Sequence, residues 1–141
     1  QLKSREIKIQ EIVAFYKNHY WQNESIEDIC RHVCPAILLN QYTINRDENG
    51  EMYGFTSWAF LDQATEQKFI DKQYLSFNDW NTGDRTWVID TIYTKPHNTM
   101  AFNKTFFTHL LGTGKMVQWL RLADDGSVRN HFKVITKEHW I

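Results

Sequence analysis

Three observations in this sequence predict an α+β fold with a mixed central sheet flanked by helices. Apolar residues fall at helical spacing in some segments and gather into short β-branched or aromatic runs in others. The elements come in the order helix, helix, strand, strand, helix, strand, helix, strand, strand. Only Pro35 and Pro96 interrupt the 141-residue chain, and no repeat or low-complexity tract occurs, so residues 1–141 read as one domain. With 42% hydrophobic and 15% aromatic residues, the chain can build a sizeable core.

The first helix rests on Ile9, Ile12, Val13, Tyr16 and Tyr20, a face to which His19 also belongs. A second helix begins after Ser25, an N-cap followed three residues later by Asp28, and is expected to end at Pro35. Strands over 42–46 and 52–58 flank Asn49-Gly50, a pair suited to a tight hairpin turn. A helix over 61–72 follows, and then a loop over 78–84. The run from Trp87 to Tyr93 reads as a central strand, and a helix over 100–111 stops at Gly112. Strands over 116–122 and 128–135 surround the turn Asp124-Asp125-Gly126.

No run of about 18 apolar residues is present, and the first ten residues alternate charged and apolar, so the expectation is a soluble cytoplasmic protein. Cys30 and Cys34 are too few and too close for a secreted disulfide framework, which points to a reducing compartment. His32 lies between them, but zinc requires further ligands and no second cluster exists, so no metal is expected. The net charge of −1 conceals an asymmetry: residues 1–94 sum to −5 and residues 95–141 to +4. With His97, His109, His131 and His139 added, the second part suits an acidic partner.

Asp90 is the most informative position. Strand alternation places it between Val88 and Ile92 on one face, and a carboxylate among apolar neighbours must find donors, a cation or a proton. Such a group is a candidate for acid–base work, the structural alternative being a carboxylate that caps a loop. His19 alone reads more readily as a core histidine. Paired with Asp90, it would make a base able to take a proton.

Other motifs do not hold. The Asp79–Asp84 loop starts like a calcium loop but has Gly83 and Asp84 in the wrong order. Gly112-Thr113-Gly114-Lys115 lacks the upstream glycine and the hydroxyl of a phosphate loop. Ser57 has no nucleophile elbow.

Three blocks carry a resemblance: Pro35-Ala36-Ile37 with Asn40-Gln41-Tyr42; Gly54-Phe55-Thr56-Ser57-Trp58-Ala59; and Asp79-Trp80-Asn81-Thr82-Gly83-Asp84-Arg85-Thr86-Trp87-Val88-Ile89-Asp90. In them the chain resembles the toxin-activating lysine acyltransferases, which attach a fatty acyl group to internal lysines of RTX toxins. The resemblance implies a GNAT-like fold and a catalytic pair made of His19 and Asp90. It also implies acyl carrier protein as donor, through its acyl-phosphopantetheine and with no other cofactor, and a protoxin-like acceptor; it allows a homodimer. His32 stands where these relatives often carry asparagine.

A fatty acyl donor needs an apolar groove near Asp90, for which Trp58 and Trp87 are the candidate walls. Lys95, Lys104, Arg121 and Lys133 are the candidate docking residues for the acidic carrier protein. Two other functions compete. An N-acetyltransferase using acyl-CoA would need a glycine-rich amide loop after the central strand, and 94–99 has no glycine. An inactive relative that only binds a toxin would not need both Asp90 and His19. Nucleic-acid binding has no recognisable module here.

Overall fold

The computed structural model describes residues 2–137; His139 lies outside them. Its elements are α1 (Leu2–His19), α2 (Ile26–Leu38), β1 (Tyr42–Arg46), β2 (Met52–Leu61), α3 (Gln63–Lys72), β3 (Arg85–Tyr93), α4 (Thr99–Leu111), β4 (Met116–Leu122) and β5 (Val128–Ile135), with a single 3-10 turn at Phe77–Asp79. The five strands form one sheet in the order β1-β2-β3-β4-β5. Neighbours are antiparallel except β3 and β4, which are parallel because α4 crosses between them.

Helices cover both faces. α1 and α2 pack Ile12, Tyr16, Ile29 and Val33 against Phe55 and Ile92. On the same side Phe69 of α3 joins Trp80 and Trp87. Phe107 of α4 packs on Trp58, Val88, Val117 and Trp119 of the opposite face.

β2 runs on to Leu61, past the expected 58, and α3 starts only at Gln63. Two further details differ from the sequence expectation. α2 passes through Pro35 and ends at Leu38. A proline removes one helical hydrogen bond, but the extra turn buries Ala36 and Ile37, which offsets that loss. β3 also does not alternate regularly. Ser57 pairs with Asp90 and Trp58 with Val88, leaving Ile89 as the extra residue of a β-bulge. Val88 therefore packs on α4, while Ile89 and Asp90 both turn to the other face. Asp90 does not sit beside Val88, as strict alternation would have it.

The Asp79–Asp84 loop is structural. Asp79 accepts from Ser76 N and Oγ and from Lys68 Nζ, and the Trp80 carbonyl accepts from Phe60 N and Gln41 Nε2. Gly83 lies against the chain where β2 ends; a Cβ there would come 2.6 Å from the Asp62 backbone. Gly83→Ala should therefore destabilise the fold by about 1–3 kcal/mol, as overpacking does, and urea unfolding would show it as a lower midpoint with an unchanged slope.

Candidate functional site

β3 and β4 pair only at Thr86–Val117, Trp87–Gln118 and Val88–Trp119. Both strands run on, β3 to Tyr93 and β4 to Leu122, so they part beyond that point. From Ile89 onward, the edge of β3 that faces β4 has no strand partner among the described residues. The bulge at Ile89 coincides with the parting and bends β3 where it occurs. A cleft of about 1090 Å³ occupies the gap. Val88, Ile89, Asp90 and Thr91 border it on one side and Trp119 to Leu122 on the other.

Below the parting the two strands are held together. The Glu66 carboxylate of α3 accepts Trp87 Nε1 (2.7 Å) and Gln118 Nε2 (3.0 Å) on one oxygen and Arg85 (2.7 Å) on the other. Burial raises the Glu66 pKa, but these donors outweigh it and hold the carboxyl below its ordinary value. The charge persists at neutral pH, clamping β3 to β4 where they separate.

Asp90 stands at the cleft wall, 7% exposed, and its Oδ2 accepts from Tyr16 Oη at 2.5 Å and lies 2.5 Å from His32 Nε2. Each partner comes from a different helix. Tyr16 belongs to the buried face of α1, and His32 lies three residues after Ile29 and four before Ala36, both buried residues of α2. Trp21 (ring centroids 4.4 Å apart), Tyr16 and Trp80 enclose the His32 ring. Lys17 Nζ secures the α1–α2 connection by donating to the Gln22 and Glu24 carbonyls, and the Ser25 side chain caps α2 at Asp28 N.

Electrostatics favour the ionic pair. Burial pushes the Asp90 carboxyl up, but the His32 charge and the hydrogen bonds from His32 and Tyr16 bring it below its ordinary value. Burial pushes His32 down, and the Asp90 carboxylate more than reverses this, leaving the imidazole above its usual value. Tyr16, raised first by burial and then by Asp90, stays a hydroxyl donor. Tyr20, which lines the cleft, is raised by the Asp90 charge and by burial.

The expected hydrogen bond between His19 and Asp90 is not formed. His19 is exposed, its ring 5.0 Å from Phe15. Tyr16 takes the inward position of the last α1 turn, and three residues on, the helix has rotated the side chain about 60° away from that line. His32 was legible by the reasoning applied to His19, since it is also a histidine on an apolar helical face.

Trp58 and Trp87 are core residues of opposite sheet faces, and neither lines the cleft. Its aromatic walls include Tyr20, Trp21, Trp80, Trp119 and Phe132. Of the four docking candidates, Arg121 borders the cleft. Lys95 lies 3.6 Å from Asp47 and over the Tyr53 ring, at the β1–β2 hairpin. Lys104 is on α4. Lys133 pairs opposite Gln118 and Arg121 opposite Asn130, so these two project to opposite faces. Among the described residues, no group of three or more His, Cys, Asp or Glu could hold a metal ion, and no helix is long and apolar enough to cross a membrane.

A model of the RTX toxin acyltransferase family matches residues 6–134, which include the whole of this site. The chain belongs to that family. Its relatives include the leukotoxin-activating lysine-acyltransferase LktC serotype A1 of Mannheimia haemolytica, 36% identical over 91 residues, covering 60% of this chain and 54% of the relative. LtxC of Aggregatibacter actinomycetemcomitans, also a leukotoxin-activating lysine-acyltransferase, is 38% identical over 82 residues, or 57% of this chain and 48% of the relative. The protein-lysine myristoyltransferase RtxC of Kingella kingae is 39% identical over 72 residues, 50% of this chain and 42% of the relative. The chain thus spans about half the length of the curated relatives it matches.

Proposed function

We propose that this chain moves a fatty acyl group from the thioester of an acylated carrier protein to a lysine amine of a protoxin-like acceptor. His32 is the base and Asp90 its partner. The observation that carries this reading is a partly buried imidazole–carboxylate pair on the wall of an apolar cleft, in a member of this family.

The chemistry needs such a base. With a pKa of about 10.4, a lysine is neutral in roughly one molecule of 2,500 at pH 7, a cost of about 4.6 kcal/mol. His32 takes the proton of the attacking amine, and Asp90 orients the ring and stabilises the imidazolium. The nitrogen attacks the thioester carbonyl carbon, the carbon–sulfur bond breaks, and the proton passes from His32 to the leaving sulfur. Tyr16 holds the Asp90 carboxylate in place.

Two features support the carrier-protein donor. The β3 edge beyond Val88 offers backbone groups to an extended amide-bearing arm, as in strand addition. The 94–98 connection into α4 has no glycine-rich amide loop to cradle a pyrophosphate. Val88, Ile89, Met100, Leu120 and Phe132 supply apolar wall for the acyl chain, worth about 0.8 kcal/mol per buried methylene. The bulged, parted parallel strands also support the GNAT-like reading of the fold. In this reading the protein works in the cytoplasm, where its donor is made.

Intact mass spectrometry tests the proposal, using unacylated leukotoxin as probe acceptor with the full chain and acylated carrier protein. The expected result is a mass gain of one acyl group per modified lysine. Equal use of acyl-CoA would overturn the donor assignment. Binding of the acceptor without any mass gain would establish the inactive, toxin-binding alternative.

A further inference from the structure

α2 carries a second reactive group. Cys30 and Cys34 are free and half-buried, with their Sγ atoms 3.5 Å apart. They stand one helical turn apart, and His32 is the midpoint of that turn.

The sulfurs are close enough to react, but the product does not fit the helix. Side chains four residues apart on an α-helix keep their Cβ atoms about 5–6 Å apart, whereas a disulfide requires about 3.5–4.5 Å. Closing the bridge must draw the 30–34 turn together by roughly an ångström or more. The turn yields easily, because Pro35 has no N–H to give the Arg31 carbonyl. His32, held at 2.5 Å from Asp90, is carried on the turn that must contract.

The geometry points to Cys30 and Cys34 as an oxidisable dithiol that low-molecular-weight disulfides such as oxidised glutathione convert to an intrahelical bridge, and whose closure withdraws His32 from Asp90. In the first step one cysteine thiolate attacks a glutathione sulfur, forming a mixed disulfide and releasing one glutathione thiolate. In the second, the other cysteine loses its proton to solvent and attacks the protein-side sulfur, expelling the second glutathione. Two protein thiols are oxidised and one disulfide is reduced to two thiols. Burial and the neighbouring Cys30 sulfur push the Cys34 thiol up to about 11, so the exchange is slow at neutral pH and quickens as pH rises. The device does not depend on which reaction the His32–Asp90 pair serves.

Linkage makes the idea testable without any activity assay. If the bridge and the His32–Asp90 contact exclude each other, weakening either favours the other by the same factor. The full chain is equilibrated in glutathione buffers of graded ratio and acid-quenched, and the bridge is read as the loss of two hydrogens in the intact mass. Asp90→Asn should shift this equilibrium toward the bridge by about tenfold, within the usual range of coupling between sites. As a second measurement on the unaltered chain, the NMR titration of His32 should move to lower pH in the bridged form, because the ring is no longer in contact with the carboxylate that raises it. Cys34→Ser should give only a glutathione adduct. Mixed adducts without a bridge in the unaltered chain, or a bridged form whose His32 titration is unchanged, would overturn the proposal.

Discussion

Replacing His32 by alanine should lower acyl transfer by about 10²–10⁴-fold, the usual contribution of a positioned general base. His19→Ala should leave most of the rate, because that ring is exposed at the end of α1 and Asp90 is already bonded to Tyr16 and His32. The two variants separate the imidazole that the structure places on Asp90 from the one the family resemblance suggests. Single-turnover acylation of the acceptor is the measurement; a large loss with His19→Ala and a small one with His32→Ala would reverse the assignment. The pH profile adds a second check. Asp90 holds His32 above its ordinary value of 6.5, so the neutral, proton-accepting form and with it the rate should rise with pH through a midpoint above that value. Asp90→Asn should bring the midpoint down along with the rate.

The second large effect is on stability. Asp90→Ala should cost about 3–5 kcal/mol, as breaking a buried pair does, because it leaves the His32 imidazole and the Tyr16 hydroxyl without their acceptor. The pH dependence has a defined sign. Asp90 lies below its ordinary 3.8 in the fold, so its contribution is complete above that value and is lost as pH falls through the lower folded value. His32 lies above 6.5, so its contribution is complete below that value and is lost as pH rises through the higher folded value. The pair therefore stabilises the fold most between 3.8 and 6.5. Urea unfolding across this range should show the Asp90→Ala deficit greatest inside the window and shrinking on both sides; a deficit independent of pH would mean that the pair is not ionic.

What the sequence made legible was local. Asn49-Gly50 announced its hairpin, Ser25 its helix start and Gly112 its helix stop, because each is set by backbone preferences within a few residues. Pro35 does not stop α2, because the apolar face that the helix goes on to bury outweighs a penalty that is only local. The bulge at Ile89 arises from the register between β2 and β3, and nothing within β3 itself signals it. The partner of Asp90 was hidden for a similar reason: His19 and His32 both lie on apolar helical faces, and only the packing of α1 against α2 decides which ring turns inward. Asp90 itself was readable because an isolated carboxylate in an apolar strand demands partners wherever they come from.

The Glu66 carboxylate acts as a staple at the base of a fork. Trp87 and Gln118 donate to the same oxygen, so β3 and β4 cannot draw apart there without breaking both bonds. Beyond that point each strand is still held by its outer neighbour, β3 by β2 as far as Tyr93 and β4 by β5 as far as Leu122. The span of the cleft is thus set by the pairings of the sheet and by a side chain that does not line it.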